Sequence, residues 1–535
     1  MKLSTTRVAF LVFTICALAF ISFPGSPAGA AKEKRSSTVI RVTPPAPVFD
    51  ETERLAELAQ RRARVAQSIG PKSLLLLFST EPRVYANDVE YHYRQENNLY
   101  YLTGLKQKGA TLVLLPGNTQ VAEVLFLPRR DPILETWTGH MYSPEEAQRI
   151  SGIREIWAAD EFEPFMRTIR NRQPYRPKNE NIFLSDLPST TQMVNGNGFE
   201  PLLKAATDND ASIYMLVPRE QESREYKQEQ KFASEWSRTA SGYSIRNAWP
   251  IFTQMRLRKS PMELRIMQHA IDISIEAHQR SWVAAAHAKW EYEIDAEVLY
   301  TFKLRNADNW GYPNIVGCGP NATTLHYDAS QSAIKSGDLM LMDVGAEYSH
   351  YTADITRTFP INGKFSPVQA EIYQIVYDAQ EAVAKATRPG ATLGEVNAAG
   401  TAVIKEGLFK LGLITDRNST QHRLWFMHGT SHWLGMNVHD VGGGAKFEPG
   451  AVFTNEPGIY IRPDALEYKP RTWSQEDWDK FKQAVRPAFE KYKGIGVRIE
   501  DDMLVTADGV IWMSQALPRK LSEVEAFIAK ARGSS

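Results

Sequence analysis

Cysteine is almost absent from this 535-residue sequence, which has only Cys16 and Cys318. Cys16 lies in an amino-terminal apolar run expected to be removed, so Cys318 would be left alone and no intrachain disulfide could form. An excess of charge of either sign is also missing, with 62 Lys plus Arg against 62 Asp plus Glu. No basic block or aromatic-basic stripe stands out, which excludes a nucleic-acid partner of the usual kind. Long apolar runs are scarce as well. After the run Val8 to Phe23 no second candidate span occurs. There is no internal repeat, and no biased segment apart from a polar, proline-containing stretch around 32–47.

That first run has its own grammar. Lys2 and Arg7 precede it, and Pro24, Gly25, Pro27 and then Ala28-Gly29-Ala30 follow. This is the order of a cleaved secretory signal, and the run falls short of the roughly 20 residues of a membrane span. Bulky Ile15 before Cys16 argues against a lipoprotein site. Residues 1–30 are therefore expected to be a signal peptide and 31–50 a polar tail. The mature protein would be secreted or periplasmic, with no stable membrane anchor after cleavage. An uncleaved anchor is the alternative.

The chain is too long for one ordinary core. Glu51 to Gly70 has the pattern of an amphipathic helix, followed by strand-like runs at Ser73–Phe78, Ala110–Leu115, Val124–Leu127, Asn181–Leu184 and Ile213–Val217. Helical segments between them predict an α/β domain over 51–254. Ser260-Pro261-Met262-Glu263 then supplies a cap, a first-turn proline and a glutamate at the third helical position. Such a start opens a long helix and a second domain over 255–535. Ser366-Pro367-Val368-Gln369 repeats this chemistry, and a third helix is expected around Gly394 to Leu413.

Three clusters in the second half carry polar groups where apolar ones are expected. The runs Asp338–Val344 and Tyr351–Phe359 alternate like half-buried strands, flank a turn expected at Gly345, and carry Asp343 and Asp354. A hairpin would bring these carboxylates together, and like charges in an enclosed site need a shared proton or a cation. A solvated aspartate on each strand is the bland alternative. The second cluster is His428, His432 and His439, three of the chain's 11 histidines within twelve residues of an apolar, glycine-rich stretch. Satisfied core histidines would look the same. The third is Glu456 and Glu500, each inside an apolar strand-like run, where an unpaired carboxylate is costly. Four carboxylates and an imidazole suit two divalent cations such as Mn, Co or Zn, and hence a two-metal hydrolase.

These segments resemble the pita-bread metallopeptidases, specifically aminopeptidase P (Xaa-Pro aminopeptidase). The resemblance rests on DVGAEYSHYTADITRTFP from Asp343, HGTSHWLGMNVHDVG from His428, NEPGIY from Asn455 and GVRIEDD from Gly496. NIVGCGPNATTLHYD from Asn314 is similar to the segment that ends in the family's substrate-side histidine. RQENNLYYLTGL from Arg94 and ETWTG around Trp137 resemble its amino-terminal domain. The fold implied is an amino-terminal α/β domain followed by a pita-bread (creatinase/aminopeptidase-like) catalytic domain, mixed α/β (α+β) in class.

The implied activity is removal of an amino-terminal residue that precedes proline, by attack of a hydroxide bridging two divalent metal ions. Manganese is expected ahead of cobalt or zinc. Asp343, Asp354, His432, Glu456 and Glu500 would be the metal ligands, with Asp354 and Glu500 bridging. Glu456 would shuttle the proton. His326 and His439 would flank the scissile carbonyl, and His428 would either serve the same pocket or support a ligand from behind it. Tyr460, Arg498 and Trp137 would contact substrate or orient carboxylates, with Trp137 and the Asn98 region bordering the substrate in the same or a neighbouring subunit. Peptides with proline second are the expected partners, and a homodimer or homotetramer the expected assembly. Two departures stand out: Asn455 before the glutamate, and Asn98 where a close relative would carry aspartate. The segment between Ile461 and Gly494 reads as an insertion whose helix begins at Ser474 and either rims the site or packs on the surface. The alternatives are a prolidase restricted to Xaa-Pro dipeptides and a metal-free relative acting as a binding module or as a creatinase-like hydrolase, and all five ligand positions speak against the metal-free relative.

Overall fold

The computed structural model describes residues 39–187, 198–217 and 225–533. The expected signal peptide and the start of the polar tail lie outside these. Among the described residues no helix is long and apolar enough to cross a membrane.

Helix α1 (Glu51–Ile69) begins where the Asp50 side chain accepts from the Glu53 N–H. Strand β1 (Ser73–Phe78) is an interior strand of a seven-stranded sheet with β2 (Thr111–Leu114), β3 (Glu123–Leu127), β4 (Ile156–Ala158), β5 (Ile182–Leu184), β6 (Ala211–Met215) and β7 (Tyr243–Asn247). The order is β5-β4-β3-β2-β1-β6-β7. Alternation along β1 assigns its faces. Leu74, Leu76 and Phe78 pack into a core closed by Trp157, Phe162 and Phe165. Leu75 and Leu77 join the larger core that continues into the second half of the chain. Both faces are covered, which is why β1 reads as an unbroken apolar run.

Helix α2 (Asn97–Thr103) and helix α3 (Pro132–Thr138) follow two of these strands. Helix α4 (Trp249–Leu257) leads into α5 (Pro261–Ala284), whose capping box is formed as its sequence predicts: Ser260 accepts from the Glu263 N–H and Glu263 accepts from the Ser260 N–H. Helix α6 (Pro367–Ala386) starts with the same reciprocal pair, Ser366 and Gln369. It packs against α7 (Leu393–Lys410). The insertion forms α8 (Gln475–Tyr492), which buries Trp478, Phe481, Val485 and Phe489. It covers the core by Trp425 and α6.

The strands of the second half that build the site are β8 (Ile315–Cys318), β9 (Leu339–Val344), β10 (Ala346–Tyr348), β11 (Tyr351–Thr352), β12 (Ile355–Pro360), β13 (Val452–Asn455), β14 (Gly458–Tyr460), β15 (Gly496–Arg498) and β16 (Asp501–Thr506). One expectation is corrected here. The turn is not at Gly345 but at Ser349 and His350, both with positive φ. The second expected strand is also broken at Ala353-Asp354, so β9 pairs with β12 and β10 with β11. Gly345 is instead a crossing point, where a Cβ would lie 1.9 Å from the Ala353 carbonyl oxygen. Alternation alone cannot distinguish one long hairpin from two short ones in series.

Candidate metal centre

Antiparallel register sets the first wall. Asp343 on β9 lies opposite Thr356 on β12, and Asp354 is one residue ahead of β12. The Glu500 N–H donates to the Thr356 carbonyl at 3.0 Å, and the Thr356 hydroxyl donates to Glu500 Oε2 at 2.6 Å. The second wall comes from the loop before β13. Glu456 N–H donates to the Thr430 carbonyl at 2.8 Å and Thr454 N–H to the His432 carbonyl at 2.9 Å. These bonds place His432 beside Glu456.

One ligand atom each from Asp354, His432 and Glu500 lies within 4.8 Å of the others. His432 Nε2 stands 3.3 Å from Asp354 Oδ2 and 3.3 Å from Glu456 Oε1. Its Nδ1 is 3.1 Å from the Trp433 carbonyl, which can only accept, so Nδ1 carries the proton and Nε2 faces the carboxylates. Asp343 stands at the edge of the group with both oxygens engaged, by Tyr312 OH at 2.5 Å and Arg498 Nη2 at 2.5 Å.

The electrostatics are those of a crowded anionic pocket. Burial raises the carboxyls of Asp354 and Glu500 above the usual range, and neighbouring carboxylates add to it. Burial pushes Glu456 up to about 7. Burial disfavours charge on His432, but Asp354 and Glu456 outweigh it and raise the imidazole to about 9. Asp502 is buried as well; its Oδ2 accepts the Asp354 N–H at 3.2 Å while Oδ1 has no hydrogen-bond partner. Four converging carboxylates, an imidazole nitrogen turned toward them and this orphaned oxygen fit divalent cations of oxygen-preferring type.

A hydrogen-bonded string leads away from the carboxylates. Arg498 Nη1 donates to Tyr460 OH at 2.8 Å, and Tyr460 OH lies 2.8 Å from His428 Nε2. His428 donates from Nδ1 to the Gly429 carbonyl at 2.7 Å, so Nε2 accepts from the tyrosine. Burial and then Arg498 lower its pKa to about 3, leaving it neutral. His439 sets its ring edge-on to His432, centroids 4.4 Å apart. Burial lowers its pKa, and His432 and His326 lower it further. His326 is exposed beside it. Thus nine of the eleven residues named from the sequence are joined by direct contacts, with His326 close enough to His439 to influence its charge. Trp137 does not join them, for it is 84% exposed on α3, a helix with no buried residue. Asn98 does not border the pocket openly either. It is fully buried, accepting from Arg256 Nη1 at 2.8 Å.

Sequence reasoning missed Tyr312, Thr356 and Asp502. Tyr312 and Thr356 are ordinary residues by composition, and only a pairing across the sheet gives them carboxylate partners. Asp502 had a signal, as a third consecutive acid after Glu500 in a buried run. Two surface depressions, about 500 and 570 Å³, lie by α8 and by α1, away from the carboxylates.

Residues 265–507 match the model of metallopeptidase family M24, and residues 58–176 that of the aminopeptidase P N-terminal domain. A Xaa-Pro aminopeptidase of Haemophilus influenzae is 33% identical over 480 residues, covering 88% of this chain and 96% of that protein. Human Xaa-Pro aminopeptidase 3 is 30% identical, covering 89% and 85%. Aminopeptidase P from Escherichia coli, solved with the inhibitor Pro-Leu, superposes with a TM-score of 0.71 at 31% identity, covering 91% of this chain and 100% of that one. The fold is thus a mixed α/β amino-terminal domain followed by a pita-bread catalytic domain. The chain belongs to the Xaa-Pro aminopeptidases of metallopeptidase family M24, and is a hydrolase of that family.

Proposed function

We propose that this protein is an exported metalloaminopeptidase that cleaves the bond between an amino-terminal residue and a following proline. The observation that carries the reading is the convergence of Asp354, His432 and Glu500 within 4.8 Å. Asp343 and Glu456 would complete the set that holds two divalent cations, manganese ahead of cobalt or zinc. Once bound, such ions neutralise the carboxylates, acidify a water so that a hydroxide nucleophile is available at neutral pH, and polarise the substrate carbonyl.

The chain's own groups do the rest. Glu456 takes the proton of the nucleophile and delivers it to the proline nitrogen, which cannot leave as an anion. His439 and His326 stabilise the oxygen of the tetrahedral intermediate. Arg498 orients Asp343 from one side while Tyr312 does so from the other. Tyr460 and His428 extend that frame toward the substrate. Exposed Trp137 would border the site of a neighbouring copy in a homodimer or homotetramer, and residues 1–30 would direct export and be removed. The prolidase alternative is not favoured, since the curated relatives matched over nearly their whole length are named Xaa-Pro aminopeptidases.

Metal analysis and hydrolysis of an Xaa-Pro-Xaa tripeptide beside an Xaa-Pro dipeptide test the reading. Two equivalents of metal and a preference for the tripeptide are expected. Asp354→Ala should lose metal and more than about 100-fold of activity, the upper range for groups that only support a ligand. Dipeptide preference, or full activity in protein shown to hold no metal, overturns it.

A further inference from the structure

The amino-terminal domain supplies none of the carboxylates, yet it grips the loop that carries His439. This loop, 434–442, leaves the His432 wall and returns to it, with the Asp440 N–H donating to the Trp433 carbonyl at 2.9 Å. Arg94, just ahead of α2, donates from Nη2 to the Met436 carbonyl at 2.5 Å, while its Nε pairs with Glu347 at 2.7 Å. Asn97 Nδ2 donates to Asn437 Oδ1 at 2.8 Å. At the far end Asp440, adjacent to His439, receives Arg256 Nη2 at 2.5 Å, with both side chains 1% exposed. Arg256 also donates to Asn98, which donates to Glu96 Oε1 at 2.9 Å. One end of the loop is therefore fastened directly to the start of α2, and the other reaches it through Arg256 on α4.

Packing alone would not call for these charges. A buried ion pair adds little stability over apolar residues of the same shape, but it fixes orientation. Lys259 Nζ, 3.8 Å from Asp440 and without a hydrogen-bond partner, is a second buried basic group on the same carboxylate. The turn closes directly on that carboxylate, since a Cβ on Gly435 would lie 2.2 Å from Asp440 Oδ2.

We infer that Arg94 and Asp440 are positioning residues for His439, so that the amino-terminal domain sets where this imidazole meets the reacting carbonyl. The inference rests on the role given to His439 above. Full-length, metal-loaded Arg94→Ala, Arg94→Lys, Asp440→Asn, His439→Ala and the double variant Arg94→Ala/His439→Ala test it. Arg94 is 35% exposed but its partner Glu347 is buried, so thermal melting accompanies the kinetics of Arg94→Ala, and Arg94→Lys keeps the charge that Glu347 needs.

Arg94→Ala should lower kcat on an Xaa-Pro-Xaa peptide by about 10- to 100-fold, the range for groups that orient a reacting side chain. KM and metal content should stay near wild type, Arg94→Lys should recover part of the loss, and amide exchange over 434–442 should quicken in Arg94→Ala and Asp440→Asn. In the His439→Ala background the Arg94 change should cost nothing more. Unchanged exchange, or a full additional loss in that background, overturns the inference. Wild-type kcat in Arg94→Ala beside an impaired His439→Ala overturns it alone. Wild-type kcat in His439→Ala overturns it together with the proposed role of that histidine.

Discussion

Replacing Gly345 with alanine should disturb the metal centre without touching a ligand. Gly345 joins β9 to β10 where the chain passes Ala353, and a Cβ there would sit 1.9 Å from the Ala353 carbonyl oxygen and 2.7 Å from its carbon. Carbon and oxygen do not normally approach closer than about 3.3 Å, so the two segments must part by about 1.4 Å. Nothing flexible can absorb this, because the opposing atoms are backbone. The residues that move are the ones that matter. Asp343 lies two residues before the contact, Asp354 directly follows Ala353, and Tyr312, which bonds Asp343, is 3.0 Å from the same Cβ position.

Overpacking of this kind costs about 1–3 kcal/mol, and a misplacement of about 1 Å costs about 100-fold in rate. Gly345→Ala should therefore show a lower thermal midpoint, weaker binding of one cation by titration calorimetry and about 100-fold lower kcat/KM on a proline tripeptide. Gly394→Ala is the control: its Cβ meets only Thr392 Oγ1 at 3.8 Å, and helix propensity favours the change by up to about 1 kcal/mol. A Gly345→Ala enzyme with wild-type melting, metal binding and kinetics would refute the reasoning.

Two other changes test the frame around the site. Arg357 is fully buried, pairs with Asp501 at 2.6 Å and donates to the carbonyls of Glu500, Leu517 and Pro518. Arg357→Met should cost about 3–5 kcal/mol by stranding Asp501, measured by urea unfolding, and a loss below about 1 kcal/mol would contradict it. In the amino-terminal domain, burial raises Glu229 from its ordinary 4.5 to about 7. A carboxyl raised in the folded state stabilises it while protonated, so that stability is present below pH 4.5 and is lost as pH rises through 7. The gap is worth at most about 3 kcal/mol. Glu229→Gln should therefore melt higher than wild type at pH 8 and no higher at pH 4, and an equal gain at both would count against the assignment.

What could be read from the sequence is chemistry that closes within a few residues or repeats with a fixed period. Ser260 with Glu263, and Ser366 with Gln369, cap their helices across three positions. The strand Ser73–Phe78 follows from its apolar run. Asp343, Asp354, His432, Glu456 and Glu500 stand out because a carboxylate or imidazole in an apolar stretch needs a partner. Family resemblance turned that suspicion into a ligand set.

What the tertiary structure decided depends on partners far away in the chain. The turn moved from Gly345 to Ser349-His350, because glycine was needed there for close approach to Ala353 rather than for turning. Tyr312 and Thr356 acquired roles only through residues 31 and 144 positions away. Asn98 became part of a buried charge network through Arg256, 158 positions on, and Trp137 was left on an exposed helix. A residue type records what its side chain can do. Which carboxylate, carbonyl or guanidinium it meets is settled by strand register and domain contact, and no local pattern encodes either.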